Sequence, residues 1–505
     1  MPVLSLCMIV KNEEKYLRDC LESVKSVTDE MIIVDTGSTD STIAIAKEYN
    51  TNIFHYEWNN NFSAARNFAL KNCTGNWILY LDADERLSEK SIEEVRRNLG
   101  KYEKLGVKCT VKSIDSYNNR DNSMKYTRLF RNLPDIEFTG RVHEQIEPSL
   151  IKQYYKIVNS NIEIIHLGYN ITAESKKEKA RRNLELLLLD YSETGSCYVA
   201  FQLAQTYNIL EDEENAEKYS IMATDGKSLS PQHRAISYAL LSNNEFKRHK
   251  TDSALHYIKE GLRADNSQPY LNLLASKIYF RMQDTLNAEE FCRKAFEANS
   301  RLLSGNNYST IDIILNDEEI IYYGISLAKT SKNQRYLNMY LNAIKKYLEK
   351  SELSNADNKI EALRKICTDD VIKNGEVEEI VSLINKNNLN NVLEILKLYK
   401  SNDSKLKILS KIAGDYIGEP AFAGMFGITL ADNNLLDEAK KVLESVANSK
   451  KAEPSVLFYL ISIYAKESNF NKISVYINIL EEDFSHIPEV KVRLPYLKQK
   501  LAALR

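Results

Sequence analysis

The sequence predicts two regimes in one chain: an α/β domain on a Rossmann-like, mostly parallel sheet, then an all-α array of paired helices. Three observations predict this. Short β-rich apolar runs alternate with amphipathic stretches up to about residue 168. Beyond about residue 172 the strand signal is gone and helical periodicity continues. Gly 16 and Pro 9 in 505 residues fall well below usual levels of roughly 7% and 5%, so helix breakers are scarce. A chain of this length holds more than one core.

Taken in order, Val3 to Val10 reads as a strand, Glu13 to Val27 as a helix, Met31 to Asp35 as a strand and Ser41 to Tyr49 as a helix. Asn52 to His55 follows as a strand, Ser63 to Lys71 as a helix and Trp77 to Leu81 as a strand. Such alternation indicates parallel βαβ units in a doubly wound sheet, whose ligand sites lie beyond the carboxyl ends of the strands. A further apolar strand ends at His166. Thr172 reads as the N-cap of the helix opened by ESKKEKARRNLELLLLDY, which sets a boundary near residue 170. The expected domains are 1–170, then helical segments 171–300, 301–410 and 411–505.

Within the helical part a small residue precedes Ala by 12 positions: Ala204 and Ala216, Ser242 and Ala254, Ser276 and Ala288, Gly427 and Ala439. Tyr207 and Tyr279 recur three residues after the first small position, and Pro269 and Pro454 fall near the expected repeat ends. This resembles the tetratricopeptide (TPR) pattern, in which small residues let two helices approach and each hairpin buries its face on its neighbours. Residues 301–410 are helical but do not keep the register. A solenoid of this kind is a binding surface.

Charge and cysteine usage exclude several functions. With 67 Lys and Arg against 70 Asp and Glu, the chain lacks the basic surplus that phosphate neutralisation requires, so no nucleic-acid partner is expected. Seven cysteines, widely spaced and without a CxxC pair, fit neither a disulfide framework nor a zinc knuckle and suit a reducing cytoplasm. No apolar run approaches the roughly 20 residues of a bilayer span. The expected setting is cytoplasmic, without a membrane span.

Two strand ends carry chemistry. In MIIVDTGSTDST, Asp35 stands at a carboxyl strand end, Gly37 permits a tight turn and Ser38 or Thr39 can cap the next helix. A carboxylate there can accept hydrogen bonds from a uracil N–H or a ribose hydroxyl; an ordinary strand–turn–helix connection uses the same residues. In WILYLDADERL, Asp82 and Asp84 flank Ala83 after a buried strand. That spacing places oxygen ligands where a hard divalent cation and a nucleotide diphosphate can meet.

LSLCMIVKNEEKYLRDCLESV, VDTGSTDST, NFSAARNFAL, LDADE and RVHE occur in this order, and with them the first 170 or so residues resemble a family 2 glycosyltransferase of the GT-A fold. The resemblance implies an inverting transferase that binds a UDP-sugar through a divalent metal, Mn²⁺ or Mg²⁺. It places Val10, Lys11 and Glu13 in the nucleotide pocket and Asp35 and Arg66 near the uracil and ribose. It places Asp82 by the ribose with Ala83 beside it, and Asp84 on the metal. Thr36 stands where the family's VDDGS has a second Asp. In GRVHEQI, Glu144 is the expected base and His143 a pocket residue that orients it; His166 is the expected second metal ligand. Metal is needed because a departing UDP gathers negative charge, and a positioned base contributes about 10² to 10⁴ in rate.

The basic run Lys176, Lys177, Lys179, Arg181 and Arg182 reads as a solvated helix face or as an attractor of the diphosphate or of an acidic acceptor. His233, His249, His256 and His486 read as surface or packing residues. Joined to helical repeats, the domain resembles bacterial protein glycosyltransferases, which implies a protein or peptide acceptor, such as flagellin Ser or Thr receiving N-acetylglucosamine. Competing readings are Cys or Ser of a ribosomally made peptide, a lipopolysaccharide or other surface glycan, and a non-catalytic TPR scaffold. Self-association is left open.

Overall fold

The computed structural model describes residues 3–101, 103–113, 122–167, 173–225, 229–304, 314–350, 355–449 and 452–502. The N-terminal elements are β1 Leu4–Val10, α1 Leu17–Val24, β2 Glu30–Asp35, α2 Thr42–Lys47, β3 Asn52–His55, α3 Phe62–Asn72 and β4 Trp77–Tyr80. They continue with β5 Glu85–Leu87, α4 Ile92–Leu99, β6 Leu105–Ser113, β7 Asn122–Arg131, α5 Glu147–Lys152 and β8 Lys156–His166. The eight strands form one sheet in the order β3-β2-β1-β4-β7-β6-β8-β5. β3, β2, β1 and β4 are parallel, β7 enters antiparallel to both β4 and β6, β8 runs parallel to β6, and β5 is antiparallel to β8. The switch from crossover helices to β7 ends the parallel half beside β4, the strand that leads into Asp82 and Asp84.

Continuous apolar runs make the central strands: β1 and β4 are buried along almost all of their length, as strands covered on both faces must be. One face packs Leu4, Leu6, Met8, Trp77 and Leu79 against Leu17, Leu21 and Val24 of α1. The other packs Cys7, Ile32, Ile78 and Phe130 against Ala69 and Leu70 of α3.

The expected helix Glu13–Val27 is shorter in the structure, because Asn12, Glu13 and Glu14 are spent on a neighbouring loop. The Asn12 and Glu13 amides donate to Ser38 Oγ (3.0 Å) and Thr42 Oγ1 (2.7 Å), and Thr39 N donates to Asn12 Oδ1 (2.8 Å). This corrects the capping role expected of Ser38 and Thr39: the residue before α2 is Ser41, and the two hydroxyl residues bond Asn12 instead. Thr172, the expected cap of the first solenoid helix, lies outside the described residues.

Helices follow from residue 173: α6 Ala173–Thr194, α7 Cys197–Ile209, α8 Glu213–Asp225, α9 Pro231–Lys247, α10 Thr251–Ala264, α11 Pro269–Arg281 and α12 Thr285–Leu303. After these come α13 Asp317–Ser331, α14 Gln334–Lys350, α15 Ala356–Thr368, α16 Asn374–Leu383, α17 Leu389–Lys397 and α18 Asn402–Tyr416. The last five are α19 Pro420–Asp432, α20 Leu436–Asn448, α21 Pro454–Lys466, α22 Phe470–Phe484 and α23 Pro488–Ala502. The chain divides into two compact units, Met1–Met282 with Lys294–Asn316, and Gln283–Arg293 with Asp317–Arg505. The first repeats thus share a unit with the sheet.

The 12-residue spacing marks helix-to-helix contacts within each unit. In the first unit Ala204, Ala216, Ser242 and Ala254 are buried, Ser242 Oγ donates to the Ala254 carbonyl at 2.8 Å, and the rings of Tyr207 and Tyr219 stack at 5.6 Å. In the second, a Cβ on Gly427 would come within 2.6 Å of Leu443, so α19 and α20 require glycine there. Pro231, Pro269, Pro420 and Pro454 each open a helix, where the missing N–H costs nothing. The second unit also buries Tyr322, Tyr340, Tyr399 and Phe422.

Candidate active site

A cleft of about 1590 Å³ opens beyond the strand ends of the first unit. Its volume exceeds the 300 to 1,000 Å³ typical of a small-molecule pocket, leaving room for a nucleotide sugar and a second reactant. Val10, Lys11, Glu13, Thr36, Arg66, Asp82, Ala83, Asp84, His143, Glu144 and His166 all line it. Asp35 is the exception. Its carboxylate is buried in the turn after β2, where it accepts from Ser38 N (3.0 Å) and Gly37 N (3.2 Å) and meets His55 Nδ1 at 3.3 Å. Gly37 has φ of +107°, and the turn it makes brings its own amide and that of Ser38 onto the Asp35 carboxylate.

The aspartates after β4 are held differently. Asp82 Oδ1 accepts from Arg66 Nη2 at 2.6 Å. Burial would raise its pKa, but Arg66 and Arg128 outweigh burial and hold the carboxyl well below its ordinary value. Asp84 Oδ2 meets His166 Nε2 at 3.2 Å, and the Ser113 hydroxyl meets His166 Nδ1 at 3.2 Å, fixing the ring. Burial works against the charged imidazole, yet the hydrogen bond and charge of Asp84 raise it on balance. β5 zips this loop to β8, with Glu85 opposite His166 and Leu167 N bonded to the Asp84 carbonyl at 2.9 Å. Glu13 completes a carboxylate group: burial first, then the charges of Asp84 and Asp82, push it up to about 7. Among the described residues no set of three or more His, Cys, Asp or Glu is arranged to enclose a metal ion. Asp84 and His166, the two expected metal ligands, stand side by side at the cleft.

Arg66, expected near the uracil and ribose, is buried in the floor of the cleft. Its Nε donates to Glu144 and its Nη2 to Asp82, while its guanidinium carbon sits 5.3 Å from the Tyr80 ring and 5.8 Å from Phe138. One fork thus ties Glu144, the expected base, to Asp82. Glu144 keeps 12% of its side chain exposed. His143 has φ of +55°, an uncommon conformation for a side chain with a Cβ. It is exposed to the cleft, and the protein mass behind it, with Lys179 nearby, lowers the imidazole below its ordinary value.

Several site residues escaped the sequence. Arg128 and Glu85 form a buried ion pair at 2.6 Å under Asp82, and burial pushes Glu85 up to about 7 despite Arg128. The signal for Glu85 was its place directly after Asp84; for Arg128 it was the alternation of Tyr126, Arg128 and Phe130 along β7. The far wall comes from the helices. Lys179 and Arg182 of α6, Tyr198, Phe201, Gln202 and Gln205 of α7 and His233 of α9 also line the cleft. His233, read from sequence as surface or packing, is buried, with Nδ1 at 2.6 Å from Ser230 Oγ and its ring edge-on to Phe201 at 4.8 Å.

Residues 5–165 match the family model "Glycosyl transferase family 2". The chain is 35% identical over 250 residues to a TPR repeat-containing protein of Synechococcus elongatus, covering 48% of this chain and 60% of that one. It is 33% identical over 189 residues to the SPbeta prophage-derived glycosyltransferase SunS of Bacillus subtilis, covering 37% of this chain and 44% of that one. It thus spans less than two thirds of these curated relatives. A crystal structure of S. aureus TarS residues 1–349 with UDP overlaps 61% of this chain and 93% of that one at 16% identity and a TM-score of 0.29, too loose an overlap to place a ligand. Residues 5–165 are a family 2 glycosyltransferase domain, joined in one chain to a TPR-like array of helices.

Proposed function

We propose that the chain transfers a sugar, with inversion, from a UDP-sugar to a hydroxyl of a polypeptide. The observation that carries this reading is the shared cleft: donor-side carboxylates, an arginine-held glutamate and a wall of repeat helices all face one space. N-acetylglucosamine is the expected sugar, Ser or Thr the expected acceptor residues, flagellin an acceptor of the expected kind and the cytoplasm the expected setting. Among the described residues no helix is long and apolar enough to cross a membrane.

The residues divide the work. Val10, Lys11, Glu13 and Thr36 border the nucleotide end of the cleft, and Asp82, held ionised by Arg66, offers carboxylate oxygens to ribose hydroxyls. The donor set suits a hard divalent cation. Asp84 and His166 present one oxygen and one nitrogen side by side, and three carboxylates stand close enough that Glu13 is pushed upward. When bound there, Mn²⁺ or Mg²⁺ would neutralise charge on the leaving diphosphate. Glu144, fixed by Arg66, takes the proton as the acceptor oxygen attacks the anomeric carbon from the face opposite the leaving UDP. The uncharged wall of Tyr198, Gln202, Gln205 and His233 borders the acceptor side.

The test is UDP release from UDP-N-acetylglucosamine and other UDP-sugars with Mn²⁺, with and without purified flagellin, followed by mass spectrometry of the flagellin. Acceptor-stimulated release with a sugar mass on Ser or Thr is the expected result. Absence of both hydrolysis and transfer with every UDP-sugar would overturn the reading.

A further inference from the structure

The loop that carries His143 and Glu144 is secured from the helical side. Thr139 and Gln145 close it with reciprocal backbone hydrogen bonds of 3.0 and 2.9 Å. Inside this ring, Gly140 has φ of +96° and His143 +55°, so its shape is not one the chain would hold unaided. On the sheet side, Phe62 N donates to the Arg141 carbonyl at 2.8 Å and Ser63 Oγ to the Gly140 carbonyl. On the helical side, the Arg141 amide donates to Asp190 Oδ2 of α6 at 3.0 Å, and the Arg141 guanidinium grips Glu193 through contacts of 2.7 and 2.9 Å. Asp190 is buried, 5% exposed. Val142, the residue before His143, is buried in the apolar cluster of the first repeat with Leu187, Val199, Leu203 and Ala204. Two consecutive loop residues are thus anchored in α6 and α7, and the next two are the site residues.

We propose that Asp190 is a positioning residue for sugar transfer. By holding the Arg141 amide it fixes the left-handed turn at His143 and aims Glu144 at the acceptor, which makes the first repeat a structural part of the catalytic machinery. This rests on the glycosyl-transfer reading above and adds that the helices act on the base as well as bordering the acceptor. A buried carboxylate accepting a backbone N–H is suited to the role, because that bond fixes main chain instead of a mobile side chain. Displacing a catalytic group by about 1 Å can cost about 10²-fold in rate.

The full chain tests this with UDP-N-acetylglucosamine turnover, UDP affinity by calorimetry and thermal melting. Asp190→Ala is expected to lower kcat by about 10- to 100-fold, with UDP affinity and the donor KM unchanged. Asp190→Asn keeps an acceptor oxygen for the Arg141 amide and is expected to recover most of that loss. Should Asp190→Ala fail to fold, the half-exposed Arg141–Glu193 pair provides a second route. Glu193→Arg should lower kcat about 3- to 10-fold, a range set by a pair worth about 1 kcal/mol, and Arg141→Glu with Glu193→Arg should restore it. Equal loss of UDP binding and turnover in Asp190→Ala would overturn the proposal in favour of general scaffolding, and so would undiminished kcat. A wild-type chain that neither binds UDP nor turns over a UDP-sugar sinks the transferase reading itself, a result separate from these.

Discussion

The two walls of the cleft are built on opposite principles. On the strand side, buried charges are locked together: Arg66 spans Asp82 and Glu144, and Arg128 pairs with Glu85 at 2.6 Å. On the side of α7 and α9 the lining is uncharged, made of Tyr198, Phe201, Gln202, Gln205 and His233, and burial keeps even the histidine neutral by holding it at about 4. Preorganised charge suits a reaction that develops negative charge on a leaving group. A neutral wall suits a partner whose own charges vary from one to the next. The contrast teaches that paired buried charge and neutral surface are supplied to one space by different elements, the strands and the helices α7 and α9.

The contrast breaks most sharply at Arg66. Arg66→Leu removes the countercharge from two carboxylates at once, and unpairing buried charge of this kind costs about 3–5 kcal/mol. Chemical denaturation should show a loss of that size together with near-complete loss of UDP release. A variant as stable as the parent would mean that the strand wall does not depend on its ion pairs. Next comes Asp84→Ala, expected to lower Mn²⁺-stimulated UDP release by about 10² to 10³; full activity would remove Asp84 from the metal site.

A pH measurement sharpens the neutral side. Burial depresses His233 from 6.5 to about 4, so the unfolded chain takes up that proton first. The stabilisation is complete above about pH 6.5 and is lost as the pH falls toward 4, amounting to about 2–3 kcal/mol at pH 4. His233→Asn should flatten the fall in unfolding free energy between pH 7 and 4.5; an unchanged slope would show that His233 is already solvated. The smallest effect is expected at Tyr198 and Gln202, whose hydroxyl and amide meet at 2.9 Å. Tyr198→Phe with Gln202→Ala should raise the acceptor KM about 3- to 10-fold, the cost of about 1 kcal/mol of hydrogen bonding, and leave UDP affinity alone. Weakened UDP binding would put these residues on the donor side.

The same division explains what the sequence disclosed. Strands β1 to β4 were legible to within a residue or so because each is a short apolar run between breakers, and the parallel order followed from the helices between them. The antiparallel half was not: β6 and β7 are long, mix charged with apolar residues and cross at a bulge near Val107 and Lys108, which blurs the period. In the site, Asp82, Asp84, Glu144 and His166 stood out because they follow strands or sit in short motifs. Asp35 matched such a motif equally well, and only the turn at Gly37 decides where its carboxylate goes. Asp190 and His233 were hidden for another reason: they are single polar residues in amphipathic helices, and what each touches, the Arg141 amide and the Phe201 ring, comes from elsewhere in the chain.

Val142 carries a practical lesson for modular exchange. Its side chain sits in a socket formed by α6, α7 and their neighbours, so cutting between the sheet and α6 would strip the plug of its cover and leave the socket empty. A chimera that grafts a foreign helical array onto this domain should retain everything through α9, whose Ile236 and Leu240 belong to the same cluster. Joined there, a graft would inherit the seating of the loop and could change its choice of partner without disturbing the chemistry.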